Sequence, residues 1–364
     1  MAWIGLWDPE YTHFCPAGLG GRRPTYVPKD AAPETLLTQG SLVIETRLTP
    51  GKRPQPLVRF DRYGSWRSHL SLQSIPGGGV TLVVNQGGEI AHGSVGQSAN
   101  GRLDVLRITY SWNALKGWGR LAMERLENGQ VLLSEVARPK PIRLCDLNDL
   151  IRASEGSYIS PDVQYIAVST HIEPVGPMPT LTRDIPIATP EGYVPAGALR
   201  KGDRVTTATG RTVPVLQTVS REVPARGMFG PVRIRAPYFG LQRNIVVAPS
   251  QRLVISGSEV DYMFGTEAVL ANACHFVGGT AAVPAKAGPL VTYCQLLLLG
   301  HEALIAAGTA LESLFIGRMR RDARKLSASL LQGMNRDSLP EHGAPVHPVL
   351  RPFDALVLAE QRAA

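Results

Sequence analysis

Cysteine is scarce and scattered in this chain. Cys15, Cys145, Cys274 and Cys294 lie far apart, and none belongs to a CxxC pair. A zinc knuckle or a dithiol redox site is therefore not written here. Four cysteines in 364 residues do not make a disulfide scaffold either, so reduced, mostly buried thiols are expected. The adjacent pair Cys274-His275 has no second pair of ligands nearby, and neither a metal nor a cofactor is expected. The opening "MAWIGLWDPEYTHFCPAGLGGRRPTYVPKD" lacks a basic segment followed by an apolar one, so a Sec signal peptide is not expected. No window holds about 18 uninterrupted apolar residues, so no membrane-spanning helix is expected. The most apolar run, "QLLLLGHEALIAAGTAL", is broken by Gly300, His301 and Glu302. The chain is expected to be made in the cytoplasm. Release, or display on a particle or cell surface, would need another route.

What is present favours β-structure. Hydrophobic residues make up 44%, and glycine (37) and proline (29) are abundant. Between them run short β-branched stretches, the texture of an all-β protein with many turns. The net charge of +8 permits contact with anionic surfaces, but a soluble basic protein is the simpler reading. Residues 1–35 read as an irregular arm that packs on something, because Trp3, Trp7, Tyr11 and Phe14 would be costly to expose together. From 36 to 175, stretches such as "SLVIETRLTP", "PLVRFDRYG", "VTLVVNQGGEIAHGSV" and "LDVLRITYSW" alternate apolar and polar residues, with turns at "PGGG", "NQGG" and "ENGQ". This is an antiparallel sandwich pattern. "LCDLNDLIRA" reads as a short helix with Asp146 or Asn148 near its start. Pro174, Pro177 and Pro179 mark a stiff linker. Residues 176–364 return to short strands, with a helical segment predicted around 301–335.

Three passages of the second half, "IATPEGYVPAGALRKGDRVTT", "VVAPSQRLVISG" with "YMFGTEAVLANACHFV", and "VTYCQLLLLGHEALIAAGTALESLF", occur in one order. With the closing "HPVLRPFDALVL", matched to a last strand, they resemble the Hedgehog/intein (Hint) superfamily, in particular an α-proteobacterial branch. The resemblance runs from about Thr180 to Ala364 and implies a self-cleaving ancestry. Such domains use a Cys, Ser or Thr nucleophile, an activating histidine in the central block and a further polar residue in the later block. Laid onto that pattern, the nucleophile falls on Thr180, or by a slip of two on Thr182. The central histidine falls on Gln251, the later one on Gln295, and an aspartate on Leu299; only His301 and Glu302 remain. A threonine hydroxyl is poorly ionised, and glutamine cannot shuttle a proton at neutral pH. The expectation is a Hint fold kept for shape, with Thr180, Gln251, Gln295, Leu299 and His301 as vestigial positions. Self-processing before Thr180 is the alternative. His301 beside Glu302 reads as a structural residue.

The first half, through "GSLVIETRLTP", "GRLDVLRITYSW" and "LAMERLENGQVLL", is similar to concanavalin-like and laminin-G sandwiches, which implies a glycan-binding, lectin-like role. Sugar sites pair an aromatic platform with planar polar groups. Two groups could supply one: Tyr63, Trp66, Arg67 and His69 in "DRYGSWRSH", and Tyr110, Trp112 and Trp118 in "TYSWNALKGW". Core packing is the competing reading for each aromatic. Asp61 and Asn85 could take part in a calcium site, but no dense Asp/Asn cluster surrounds them. A glycosidase would need two facing carboxylates. Glu124 and Glu127 are three apart and fall on opposite faces of a strand. The basic stretch Arg318 to Lys325 has no interleaved aromatics for base stacking, so nucleic acid is not an expected partner. The sequence predicts a non-enzymatic recognition or assembly protein of an envelope or phage-like particle. Its partners would be cell-surface polysaccharide and other protein chains of a homo- or hetero-oligomer.

Overall fold

A computed structural model describes residues 2–20, 32–48, 53–64, 66–96 and 104–363. The chain is mainly β and divides into two compact units, Met1–Gly176 and Pro177–Ala364. No helix among the described residues is long and apolar enough to cross a membrane.

The first unit packs two antiparallel sheets. The larger has the order Gln130–Ala137, Trp118–Arg125, Asp104–Asn113, Gln39–Leu48, Val163–Ser169, Trp3–Asp8, Tyr11–Phe14. The smaller runs Ser157–Ile159, Gln55–Arg62, Ser68–Ser74, Gly79–Gln86, Glu89–Gly96. Side chains two apart on each strand meet in one core: Ile44 and Ile108 from one sheet, Leu70, Leu72 and Leu82 from the other. The helix Leu144–Ile151 adds Leu147 and Leu150 to it.

The outward face of the larger sheet is polar yet buried. Arg107 donates to Glu45 at 3.0 Å, and the Ser41 and Ser111 hydroxyls meet at 2.8 Å. The stretch after the last strand covers this face. Glu173 N–H donates to Ser41, the Glu173 carbonyl accepts from Arg120, and Gly176 N–H donates to Glu124.

The irregular arm expected over 1–35 is corrected for its first part. Trp3–Asp8 is an interior strand, paired with Val163–Ser169 and with Tyr11–Phe14. Trp3, Ile4 and Leu6 are buried. The run is too short, and too soon followed by glycine and proline, for its pattern to stand out. Residues 21–31 of that expected arm lie outside the described residues.

The second unit contains two six-stranded sheets. One is ordered Gln217–Pro224, Leu290–Leu297, Leu181–Thr182, Ile245–Val247, Val232–Ile234, Ala282–Pro284. The other is Gly192–Pro195, Pro186–Thr189, Ala303–Ala306, Thr309–Glu312, Arg252–Ser256, Ala268–Asn272. The helical segment expected around 301–335 is largely corrected. Ala303–Ala306 and Thr309–Glu312 form a hairpin whose turn, Ala307-Gly308, has φ of 50° and 94°. Positive φ at both central positions is the hairpin geometry that matches strand twist. A Cβ on Gly308 would also sit 2.8 Å from the Gly240 carbonyl. Helix survives as a 3-10 turn at Met319–Arg321 and as Ala323–Ala328, where Asp322 accepts from Lys325 N–H at its start. The closing passage, matched to a last strand, makes one parallel bridge, Leu270 with Val349. It then becomes the helix Pro352–Ala363. Proline at the first helical position loses no hydrogen bond.

Candidate functional site

In the second unit, Thr180 immediately precedes the strand Leu181–Thr182, which lies between Ile245–Val247 and Leu290–Leu297. Its carbonyl accepts from Ala248 N–H at 2.7 Å. The turn after Ile245–Val247 brings in Gln251, and the strand Leu290–Leu297 brings in Gln295. All three side chains are buried. Thr180 Oγ1 donates to Gln251 Oε1 at 2.5 Å and accepts from Gln295 Nε2 at 3.1 Å. Gln295 Nε2 also reaches Gln251 Oε1 and the Glu312 carbonyl, each at 3.1 Å. Gln251 Nε2 donates to the Arg252 carbonyl at 2.7 Å.

Each proton in this network has a defined direction. The threonine hydroxyl points its hydrogen at an amide oxygen, which does not take up a proton near neutral pH. Its hydrogen-bond partners among the described residues are the two glutamines. An attacking alkoxide would need a base in that place. Gln295 Oε1 is buried with no hydrogen-bond partner among the described residues. Thr182, the alternative register, donates to the Val246 carbonyl at 2.8 Å. Beside it, burial pushes the Cys294 thiol up to about 11.

His301 does not hydrogen-bond to Thr180. Its Nδ1 accepts from Val346 N–H at 2.9 Å, which places the ring proton on Nε2. That nitrogen lies 3.2 Å from Glu312 Oε1, which Arg252 also binds at 2.9 Å. Glu302, its neighbour in the chain, pairs with Arg211. Leu299 is 69% exposed in the turn after Leu290–Leu297. The structure thus gathers Thr180, Gln251 and Gln295, and leaves Leu299 outside.

In the first unit the two aromatic groups part. Tyr110 and Trp112 alternate with Ser111 on an interior strand and face the core, at 2% and 0% exposure. Their rings stack at 5.4 Å, and Trp112 Nε1 donates to the Leu37 carbonyl at 3.0 Å. Both are corrected from ligand candidates to core residues. Trp118 is half-buried under the Arg120 guanidinium.

The other group lies on and beside the outward face of the five-stranded sheet. Tyr63 is 83% exposed and Trp66 43%; both sit in the connection between Gln55–Arg62 and Ser68–Ser74. Arg67 is exposed there too. The Arg143 guanidinium stands 5.5 Å from the Trp66 ring centroid. Arg143 is itself held by the buried carboxylate of Asp146, at 3.0 Å, and by Glu34 at 2.9 Å. Arg62 Nε completes the cage around Asp146 at 2.8 Å. His69 lies one strand over from Asp61, with Nδ1 2.6 Å from its carboxylate.

Strand register extends this face beyond the residues singled out from sequence. One row across the sheet is Asp61, His69, Asn85, Ile90; the next is Tyr158, Arg59, Ser71, Val83, His92. Arg59 and Tyr158 add to the face that the sequence pattern marks. The available signal was their place, two residues from Asp61 for Arg59 and directly opposite Arg59 for Tyr158. Asp61 is engaged by Arg59 at 3.2 Å and by His69, and no cluster of three or more metal-ligating side chains occurs among the described residues.

Residues 179–318 match the family model of the Hint domain. Among solved structures, the MchDnaB-1 intein is 13% identical, covering 36% of this chain and 98% of that one, with a TM-score of 0.25. A bacterial intein-like domain from Clostridium thermocellum is 13% identical over 37% of this chain and 99% of that one, with a TM-score of 0.25. The Ruminococcus gnavus IT-sialidase CBM40 is 14% identical over 37% of this chain and 77% of that one, with a TM-score of 0.27. No curated protein matched the chain.

Proposed function

We propose that the chain is a non-catalytic recognition and assembly protein. Its sandwich binds cell-surface glycan, and its Hint-like unit serves as scaffold. The observation that carries the reading is the pinned platform at Trp66. Arg143 stacks against the indole, and buried Asp146 fixes Arg143. The ring therefore stays partly exposed without being free to wander, and exposed Tyr63 stands three positions away. An aromatic face held in place before binding loses little entropy when a pyranose stacks on it. Arg67, His69 and Arg59 supply planar polar groups for sugar hydroxyls.

The scaffold role rests on the neutral Thr180–Gln251–Gln295 network, in which the hydroxyl proton is committed to an amide. A single sugar site of this kind binds weakly, roughly millimolar to micromolar, or about 4 to 8 kcal/mol. Adhesion then gains from several copies, which fits an oligomer or an array on an envelope or phage-like particle. The test is a glycan array and whole-cell binding with wild type, Trp66→Ala and Tyr63→Ala. Both variants should lose at least tenfold in apparent affinity. Wild-type binding that survives both changes removes the platform from the reading.

A further inference from the structure

We infer that the saccharide taken at the Trp66 platform is anionic and that Arg67 receives its carboxylate or sulfate; this rests on the glycan-binding reading above. The argument is one of charge pairing around the rim. Asp146 is claimed by Arg62 and Arg143. Asp149 is claimed by Arg62, Glu34 by Arg143, and Asp61 by Arg59 and His69. Each of these carboxylates contacts at least one cation, with Arg62 and Arg143 each shared between two. Arg67 is the exception among the cations. It is exposed, it adjoins Trp66 in the chain, and among the described residues it has no ion-pair partner. Its carbonyl accepts from Gly87 N–H at 3.2 Å, which ties the backbone at that point to the neighbouring hairpin. A fixed backbone carrying an unpaired guanidinium beside an aromatic face suits a ligand that is apolar on one side and acidic at its edge. A guanidinium fork meets a carboxylate or sulfate through two parallel N–H donors.

Carboxylate and sulfate share that chemistry, and the experiment separates them. The full chain is titrated with alginate against its propylene glycol ester, and with dextran sulfate against dextran. We expect at least one charged member to bind tenfold or more tightly than its neutral partner. The alginate pair reports on carboxylate and the dextran pair on sulfate. Arg67→Ala should bring the charged member down to the neutral level, while Trp66→Ala weakens both members. Arg324→Ala, an exposed arginine of the other unit, removes the same charge and should change nothing. Equal binding of charged and neutral members overturns the charge assignment and leaves glycan binding standing. Equal losses in Arg67→Ala and Arg324→Ala also overturn it, since they report diffuse attraction by a basic protein. Wild type that binds none of the four polymers overturns the glycan reading and this inference together.

Discussion

Val346 donates its backbone N–H to Nδ1 of His301 at 2.9 Å. Val346 lies beyond the stretch that matches the Hint family, which ends at 318. His301 therefore serves as an acceptor for the C-terminal segment. A second imidazole does similar work nearby. His342 Nδ1 accepts from Ile316 N–H and its Nε2 faces the Leu298 carbonyl, each at 3.3 Å. The two rings are 5.5 Å apart, with Phe315 against both.

The bond from Ile316 needs a neutral His342 ring, and that sets a pH dependence. Burial holds His342 below the ordinary histidine value, against the upward pull of its bond to the Leu298 carbonyl and with a smaller downward push from His301. The folded chain therefore resists a proton that the unfolded chain accepts near pH 6.5. Stability from this group is complete above that pH and is lost as pH falls below it, by up to about 1.4 kcal/mol per pH unit. Urea midpoints from pH 7.5 to 5 should fall steadily below about 6.5. His342→Gln, which can still accept and donate, should flatten the slope by about one proton.

The Thr180 network predicts which changes would permit cleavage. Thr180→Cys alone should give one intact mass, because a thiol facing an amide oxygen still lacks a base. Thr180→Cys with Gln251→His should yield fragments meeting at Pro179 and residue 180, since groups acting as a unit contribute non-additively. Adding Leu299→Asp should not help, because that position faces solvent. Mass spectrometry of the purified chains decides it. Robust cleavage by the single mutant would mean the scaffold is still poised.

Some of this was legible in the sequence and some was not. Period-two alternation gave the sandwich strands, and the glutamines at 251 and 295 stood out because histidine was expected there. The pairing of Gln251 with Thr180, 71 residues away in sequence, required the fold. The hairpin at Ala307-Gly308 was hidden because small apolar residues fit helical and strand spacing alike. "TYSWNALKGW" and "DRYGSWRSH" carry similar residues. Their strand and loop settings sent Trp112 inward and Trp66 outward, and local composition does not encode that choice.

Those opposite fates predict opposite mutant behaviour. Trp112 is fully buried, and the Gly40 backbone lies against its ring. Trp112→Ala should cost about 3 to 5 kcal/mol through the cavity, with the Leu37 carbonyl losing its donor as well. Trp66→Ala, at a half-exposed loop site, should stay within about 1 kcal/mol of wild type. Comparing urea midpoints checks both. A large loss at Trp66 would mark it as a packing residue and weaken its reading as a platform.

Asp146 links stability to the platform. Its carboxylate is buried between Arg62 and Arg143, and Arg143 in turn braces Trp66. Removing that carboxylate deletes two charge-assisted contacts, at about 1.5 to 3 kcal/mol, while Arg62 keeps Asp149 and Arg143 keeps Glu34. Asp146→Ala should therefore unfold at markedly lower urea than wild type. Asp146→Asn keeps the shape and some hydrogen bonding but loses the charge, so it should cost less and remain folded at 25 °C. Its glycan affinity is the informative measurement. With Arg143 held only by the exposed Glu34 carboxylate, the indole gains freedom that binding must then remove, so affinity should drop several-fold although no ligand-facing residue has changed. An Asp146→Asn chain that is destabilised yet binds as wild type does would separate the brace from recognition. Trp66 would then act through its own loop alone.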